Sequence, residues 1–511
     1  MGIPTSGVRA QDPLYKDALA VLQPGFAGTT APEWVRRTVA QGLLSVALYG
    51  RNCSDPEQVA ALTSELRKEN PDILVAIDEE GGDVTRLEVM GGSSWPGSLA
   101  LGAIDDLAVT RDVARELGYS LAACGVNFNW APSADVNANP DNPVIGVRAF
   151  GSDTQLCARH TAAWVEGLQS VGVAACAKHF PGHGDTAVDS HLGLPTIEVA
   201  ESVLRERDLV PFQAAIDQDV KAVMTAHIMV NALDTQHPAT LSRSVLTSLL
   251  RAPQSEGGLG FNGLIVTDGI EMGAIARTYG VARGTVLALA AGADAICTGG
   301  DSFGEDTTTG LADAIVDAVH AGELPEERLV DAANRVRTLA AWTAEQALPD
   351  GRRAPDAAVG LAAARQALRI TRGAQHTAVT GPVQVATFSP QANCAAGAET
   401  PWGAGAAIGE LLPGSGQETY TSEQAAADGT DVLVAKILGA AGERRTVAVV
   451  RDVHRHPWMS EALTALVAAR PDTIVVEMGV PQAAPTGALH IATFGAAPVC
   501  GRAAAEIIAG G

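Results

Sequence analysis

The sequence predicts an α/β protein built as a (β/α)8 TIM-type barrel followed by a smaller three-layer α/β domain. Three observations carry that prediction. Eight short aliphatic runs alternate with longer amphipathic stretches between residues 15 and 345. Titratable residues come directly after several of those runs. The texture then changes at ALPDGRRAPDAAVG, rich in Pro, Gly and charge, and a second set of runs begins beyond it. A chain of 511 residues is also too long for one ordinary core.

Taken in order, the strands expected in the first unit are Val21–Phe26, Leu44–Tyr49, Ile73–Ile77, Val126–Trp130, Val173–Ala177, Ala222–Ala226, Leu264–Thr267 and Ala293–Cys297. Between them PEQVAALTSELRKEN and DLAVTRDVARELGYSLAACG place apolar residues at i, i+3, i+4 and i+7, the spacing of a helix with one buried face. Strand count alone fits an open doubly wound sheet as well. Closure is favoured by the residues at the strand ends: Asp78-Glu79-Glu80, Lys178-His179, His227 and Asp268. In a parallel barrel those positions share the C-terminal rim, where active sites sit. The expected division is a barrel over 1–345, a linker over 346–360 and an α/β domain over 361–511. In the last, strands are expected at Val383–Phe388, Asp431–Ile437, Thr446–Val450, Thr473–Glu477 and Leu489–Phe494. His454 and His456 in RDVHRHPWM fit either a functional role or a turn before a helix.

Composition narrows the function. With 47% hydrophobic residues, 18% charged residues and a net charge of −23, the chain has ample core material and no basic excess for nucleic acid or an anionic membrane. No apolar run is long enough to span a bilayer, and no basic-then-apolar opening suggests a signal peptide. The seven cysteines are scattered and never spaced CxxC, which favours reduced thiols in a cytoplasmic location.

The chemistry concentrates in KHFPGHGDTAVDSHLGLP, residues 178–195. Pro181, Gly182 and Gly184 exclude a helix presenting two histidines to zinc. A loop-borne set of His179, His183, Asp185 and His191 is chemically conceivable but matches no compact ligand spacing, so no metal is expected. Asp189 and His191, one residue apart, suit an acid/base dyad on a glycine-rich mobile loop. Lys178 and His179 at a strand end suit a fixed grip on substrate, whereas His183 is given only a part in shaping the loop. In GLIVTDGIEMGAI a carboxylate at Asp268 ends a strand and faces the barrel mouth, as nucleophile, base or ligand; an N-cap for the next helix is the plain alternative.

Four motifs occur in order: Asp78-Glu79-Glu80-Gly81-Gly82 with Arg86, GVRAFGSD with Arg148, the 178–195 loop, and VTDGIEMGAI. Together they resemble the bacterial β-N-acetylglucosaminidases of glycoside hydrolase family 3, and IATFGAAPVCGRAAAEII resembles the end of that family's two-domain members. The resemblance implies Asp268 as the nucleophile of a covalent glycosyl-enzyme intermediate, and His191, assisted by Asp189, as the acid/base. It implies Asp78, Arg86, Arg148, Lys178 and His179 as residues that hold the N-acetylglucosamine ring. It further implies no cofactor, retention of anomeric configuration, and a substrate such as a muropeptide or chito-oligosaccharide, with a place in cell-wall recycling. The chain departs from the family's usual pattern at Glu79, Asp83 and Gly269. Three alternatives stay open: a phosphorylase using inorganic phosphate to release N-acetylglucosamine 1-phosphate, a substrate-assisted mechanism using Asp78-Glu79, and a non-catalytic sugar-binding barrel.

Overall fold

The computed structural model describes residues 13–187, 194–299, 304–346, 353–391, 395–397 and 399–510. Among these, eight parallel strands form the first unit: β1 (Leu22–Pro24), β2 (Ser45–Leu48), β3 (Leu74–Ile77), β4 (Phe128–Asn129), β5 (Ala174–Phe180), β6 (Ala222–Thr225), β7 (Leu264–Thr267) and β8 (Ile296–Thr298). β2 to β7 are hydrogen-bonded in chain order, β1 pairs with β8, and a bridge from Val266 to Ala295 joins β7 to the start of β8. β1 lies beside β2, so the sheet closes into the expected barrel.

The continuous aliphatic runs arise from burial on both faces. Leu74, Ala76, Ala222, Met224, Leu264 and Val266 point into the barrel beside Phe128 and Trp130. Their neighbours Val75, Ile77, Val223 and Ile265 point outward into the layer beneath the helices. Each such buried Val, Leu or Ile stabilises the fold by about 1.5–3 kcal/mol. The helix Pro56–Glu69 shows how the outer layer is specified: Asp55 accepts from the Gln58 amide, Pro56 occupies the first turn, and Val59, Leu62, Thr63 and Leu66 are buried. That is the i, i+3, i+4, i+7 face, and the cap adds about 1 kcal/mol.

The second unit has a six-stranded sheet: β9 (Arg369–Arg372), β10 (Val383–Ser389), β11 (Gly416–Thr421), β12 (Arg445–Val450), β13 (Ile474–Glu477) and β14 (Leu489–Ala492). Its spatial order is β9-β14-β13-β12-β10-β11, parallel except for the antiparallel edge strand β9. Alternate residues feed two cores. Val383, Val385, Val447 and Val449 pack on one face with the helix Pro498–Ile508; Ala386, Phe388, Ala448 and Val450 pack on the other with the helices Thr430–Ala441 and Pro457–Ala469. These are the three layers expected.

One expected strand is a helix. Asp431–Ile437 lies within the helix Thr430–Ala441, which buries Leu433, Val434, Ile437 and Ala441. The apolar run DVLV resembles a strand, but the burial spacing continues with a helical period through Ala441. β11 was not anticipated, because GQETYT is an edge strand whose residues are mostly exposed or half-buried and polar. The helix Ala357–Ala367 begins inside the stretch expected to be a linker. It packs on the barrel so closely that a Cβ at Gly360 would fall 2.1 Å from the Ser94 carbonyl oxygen.

Candidate active site

Rim positions set by strand ends converge on one cavity of about 430 Å³ at the mouth of the barrel. Asp78 comes directly after β3, Lys178 and His179 lie in the last turn of β5, Asp268 comes directly after β7, and Arg86 and Arg148 come from the loops after β3 and β4. All six line the cavity, together with Tyr49, Trp130, His183, Glu271 and Cys297. The sequence missed that β5 continues to Phe180, past the expected end at Ala177; the polar pair Lys178-His179 hides that last stretch of strand.

The loop after β3 turns back sharply through Gly81 and Gly82, both with positive φ. A Cβ at Gly82 would fall 2.5 Å from the Gly97 Cα, so this pair admits only glycine. The turn buries Glu80 against two cations. Lys178 Nζ lies 2.6 Å from Asp78 Oδ1 and 2.6 Å from Glu80 Oε1, while Arg148 donates through Nε and Nη2 to the two Glu80 oxygens at 3.0 and 2.7 Å. Burial pushes the Glu80 carboxyl up, but Arg148 and Lys178 more than offset this and hold it well below the usual range. Burial likewise lowers Lys178, and Asp78 and Glu80 reverse that, so its ammonium stays charged. Two carboxylates and two cations thus form a closed, charge-balanced group whose geometry is set before substrate arrives.

Asp135 organises the next layer. It is fully buried on the loop after β4, accepts from the His183 amide at 2.6 Å, and contacts His179 Nδ1 at 2.7 Å. His179 Nε2 faces Arg148 Nη2 at 3.2 Å. A guanidinium only donates, so Nε2 accepts and the proton sits on Nδ1 toward Asp135. His179 therefore fixes the Arg148 fork as well as lining the cavity. His183 is buried edge-on to His179 with ring centroids 5.9 Å apart, and burial pushes it down to about 4. Asp185 does not join these rings, since it pairs with Arg207 at 2.8 Å. The conceivable metal set is therefore not assembled by its three described members, and among the described residues no cluster of three or more such ligands forms.

Asp268 is held at its backbone: its amide donates to the Thr225 carbonyl and its Oδ1 accepts from the Gly269 amide at 2.8 Å. The next helix begins at Gly273 with Met272 in the N-cap position, so Asp268 is no cap for it. His227, expected on the rim, is buried below it and does not line the cavity. Its Nε2 donates to the Gly269 carbonyl at 2.9 Å and so steadies the residue beside Asp268. Glu271 Oε1 accepts from the Gly299 amide at 2.8 Å, and a Cβ at Gly269 would press on the Glu271 carboxyl at 3.2 Å, which ties the small residue at 269 to the pose of Glu271.

The second unit reaches the cavity. Arg86 Nη2 donates to the Ala395 carbonyl at 2.5 Å, and Ala395 lines the cavity wall. His454 Nε2 donates to the Pro140 carbonyl at 2.9 Å, a contact between the units. The proposed dyad residues Asp189 and His191 lie outside the described residues. Glu80 and Asp135 went unassigned in the sequence, although both lie shortly after barrel strands, and that position was the available signal. Nothing in the sequence pointed to Ala395.

The Glycosyl hydrolase family 3 N terminal domain matches residues 26–339. A beta-hexosaminidase A from Pseudoalteromonas piscicida is 34% identical over 291 residues, covering 52% of this chain and 48% of that protein, so the match spans about half that relative's length. The structure of a glycoside hydrolase family 3 beta-N-acetylglucosaminidase from Paenibacillus sp. str. FPU-7 superimposes with a TM-score of 0.84 at 32% identity, covering 97% of this chain and 96% of that one. A beta-glucoside phosphorylase, BglX, aligns over 99% of this chain and 93% of its own with a TM-score of 0.75, but at 18% identity it shares only the fold. The chain belongs to glycosyl hydrolase family 3 and is a glycoside hydrolase.

Proposed function

We propose that this glycoside hydrolase, a β-N-acetylhexosaminidase by its likeness to the relatives above, is a retaining exo-β-N-acetylglucosaminidase acting on muropeptides or chito-oligosaccharides. The observation that carries this is the single cavity in which Asp268 opens beside a pre-formed group of sugar-hydroxyl and acetamido partners: Asp78, Arg86, Arg148, Lys178 and His179. A volume of about 430 Å³, walled on one side by Trp130 and Tyr49, suits one terminal sugar ring.

In this reading the Asp78 carboxylate accepts from ring hydroxyls, and the Lys178 and Arg148 donors direct the sugar oxygens. Asp268 attacks the anomeric carbon while His191, assisted by Asp189, gives its proton to the leaving oxygen as the glycosidic bond breaks. Water then adds to the same carbon, returns a proton to His191, and releases Asp268. Two displacements retain the configuration. The catalytic unit is assigned to residues 1–345 and the smaller unit to 361–511. The six described cysteines are all free and buried, which suits a reducing cytoplasm.

Hydrolysis is preferred to phosphorolysis, because the relatives above 30% identity carry hexosaminidase names while the phosphorylase likeness is of fold alone. Two measurements test the reading. Inactivation by a 5-fluoro N-acetylglucosaminide and then peptide mass spectrometry should place the label on Asp268; a label elsewhere sinks the nucleophile. Product analysis at moderate phosphate should show free N-acetylglucosamine, and a dominant sugar 1-phosphate would overturn hydrolysis.

A further inference from the structure

Glu79 is buried behind the sugar cavity, and its position raises a question of charge. Its main chain is clamped by Asn129: the Glu79 amide donates to Oδ1 at 3.0 Å and Nδ2 donates to the Glu79 carbonyl at 2.8 Å. Its carboxyl is used asymmetrically. Oε2 accepts two backbone amides, Arg86 and Leu87, both at 2.9 Å. Oε1 is buried with no hydrogen-bond donor in sound geometry, although the Thr85 hydroxyl is near. One oxygen therefore fixes the backbone of the residue whose guanidinium lines the cavity and holds the Ala395 carbonyl, and the other is stranded.

We propose that Glu79 is the positioning residue for Arg86, holding it for substrate as an uncharged acid through Oε2 and releasing it when the carboxyl ionises. The proposal rests on the reading of Arg86 as a sugar contact. A buried carboxylate needs a cation or several donors. The titratable and charged groups facing Glu79 are Glu88 and Arg86 on its own loop and the Cys53 thiol ahead of the helix Pro56–Glu69. Glu88 repels charge on Glu79, and burial pushes the Cys53 thiol up to about 12, so it stays a thiol. Arg86 is the one cation in that set. An ionised Glu79 accordingly competes for the Arg86 guanidinium and draws it away from Ala395 and the sugar. Burial, reinforced by Glu88, pushes the Glu79 carboxyl up to about 7 despite the two amides, which puts the change at neutral pH.

The test compares wild type with Glu79→Gln and Glu79→Ala, with and without Arg86→Ala, in hydrolysis of an aryl N-acetylglucosaminide from pH 5 to 9. Glutamine offers the same acceptor to both amides and cannot ionise. Wild-type KM should rise about tenfold as pH passes through 7, while KM of Glu79→Gln stays within about twofold of the wild-type value at pH 6, the size expected for one displaced charged contact. Glu79→Ala should have a raised KM at every pH, and in the Arg86→Ala background neither variant should add anything. A KM profile for Glu79→Gln that rises with wild type, or additive effects with Arg86→Ala, overturns the proposal.

Thermal unfolding decides the same point without turnover. The folded value is raised, so Glu79 favours the folded state below about pH 4.5 and that benefit is lost as pH rises to about 7. The wild-type Tm should therefore fall relative to Glu79→Gln by a few degrees, roughly, across that window and run parallel above it. Parallel curves throughout sink the inference. An enzyme inactive on every N-acetylglucosaminide sinks the functional reading instead.

Discussion

The two parallel sheets use the same rule at their C-terminal strand ends and come to opposite results. In the barrel the ends of β3, β5 and β7 carry charges that satisfy one another around an open cavity of about 430 Å³. In the second unit β10 lies between β11 and β12, so the chain reverses direction across the sheet at that strand. The crevice at such a reversal is where open α/β sheets usually bind ligands. Here Ser389, at the end of β10, and Arg451, just past β12, do border a smaller cavity of about 230 Å³, but the barrel's own Asp83 enters it. Asp83 Oδ1 accepts from the Ala496 amide at 2.8 Å, and Oδ2 pairs with Arg451, which lies over the Trp402 ring. A binding position on one sheet has become a docking position between units, and it anchors the loop that carries Glu79, Glu80 and Arg86.

The comparison breaks most severely at the barrel rim. Asp268→Asn should leave the fold intact and lower kcat by roughly 10³-fold or more, about 4 kcal/mol of barrier, if this carboxylate forms the covalent intermediate. Steady-state kinetics with an aryl N-acetylglucosaminide checks it, and a fall under tenfold would assign the chemistry to another residue. Lys178→Met should be felt next, as stability. It leaves Asp78 and Glu80 sharing Arg148 in a buried setting, which costs about 3–5 kcal/mol for a broken buried pair. Chemical denaturation, read by a probe in the barrel such as Trp130, measures the loss. An unchanged midpoint would mean that water replaces the ammonium and that the group is not closed.

How much the sequence disclosed depends on the physics of each feature. The barrel strands were recoverable because a strand buried on both faces must be a continuous aliphatic run, as in LVAI or LIVT. The rim residues Asp78, Lys178, His179 and Asp268 were recoverable because polar groups directly after such a run have only the mouth of the barrel to face. The edge strand β11 was hidden by its exposure, and Thr430–Ala441 was misjudged because its first half is strand-like in composition and only its full burial spacing is helical. Asp135 and Ala395 depend on long-range placement. Asp135 acquires meaning only when β5 brings His179 and His183 to it, and Ala395 only when the second unit docks on the Arg86 loop. The departure at Asp83 looked like a lost cation at the sugar pocket; it is a carboxylate whose cation, Arg451, lies 368 residues further on.

That pair gives the smallest effect and the sharpest form of the comparison. Its side chains retain 4% and 14% exposure, so salt screens it weakly, and Asp83 keeps the Ala496 amide when Arg451 is removed. Arg451→Ala and Asp83→Ala should each lower the stability of the second unit by about 1–2 kcal/mol, with the double variant hardly worse than either single, because the two side chains act as one contact. Calorimetry should resolve this as a second-unit transition shifted a few degrees below that of the barrel, roughly, instead of a joint transition. If docking also steadies the Arg86 loop, KM should rise about two- to fivefold in both single variants with kcat unchanged, well short of the loss at Asp268. Additive stabilities in the double variant would show that Asp83 and Arg451 sit side by side without holding the two sheets together.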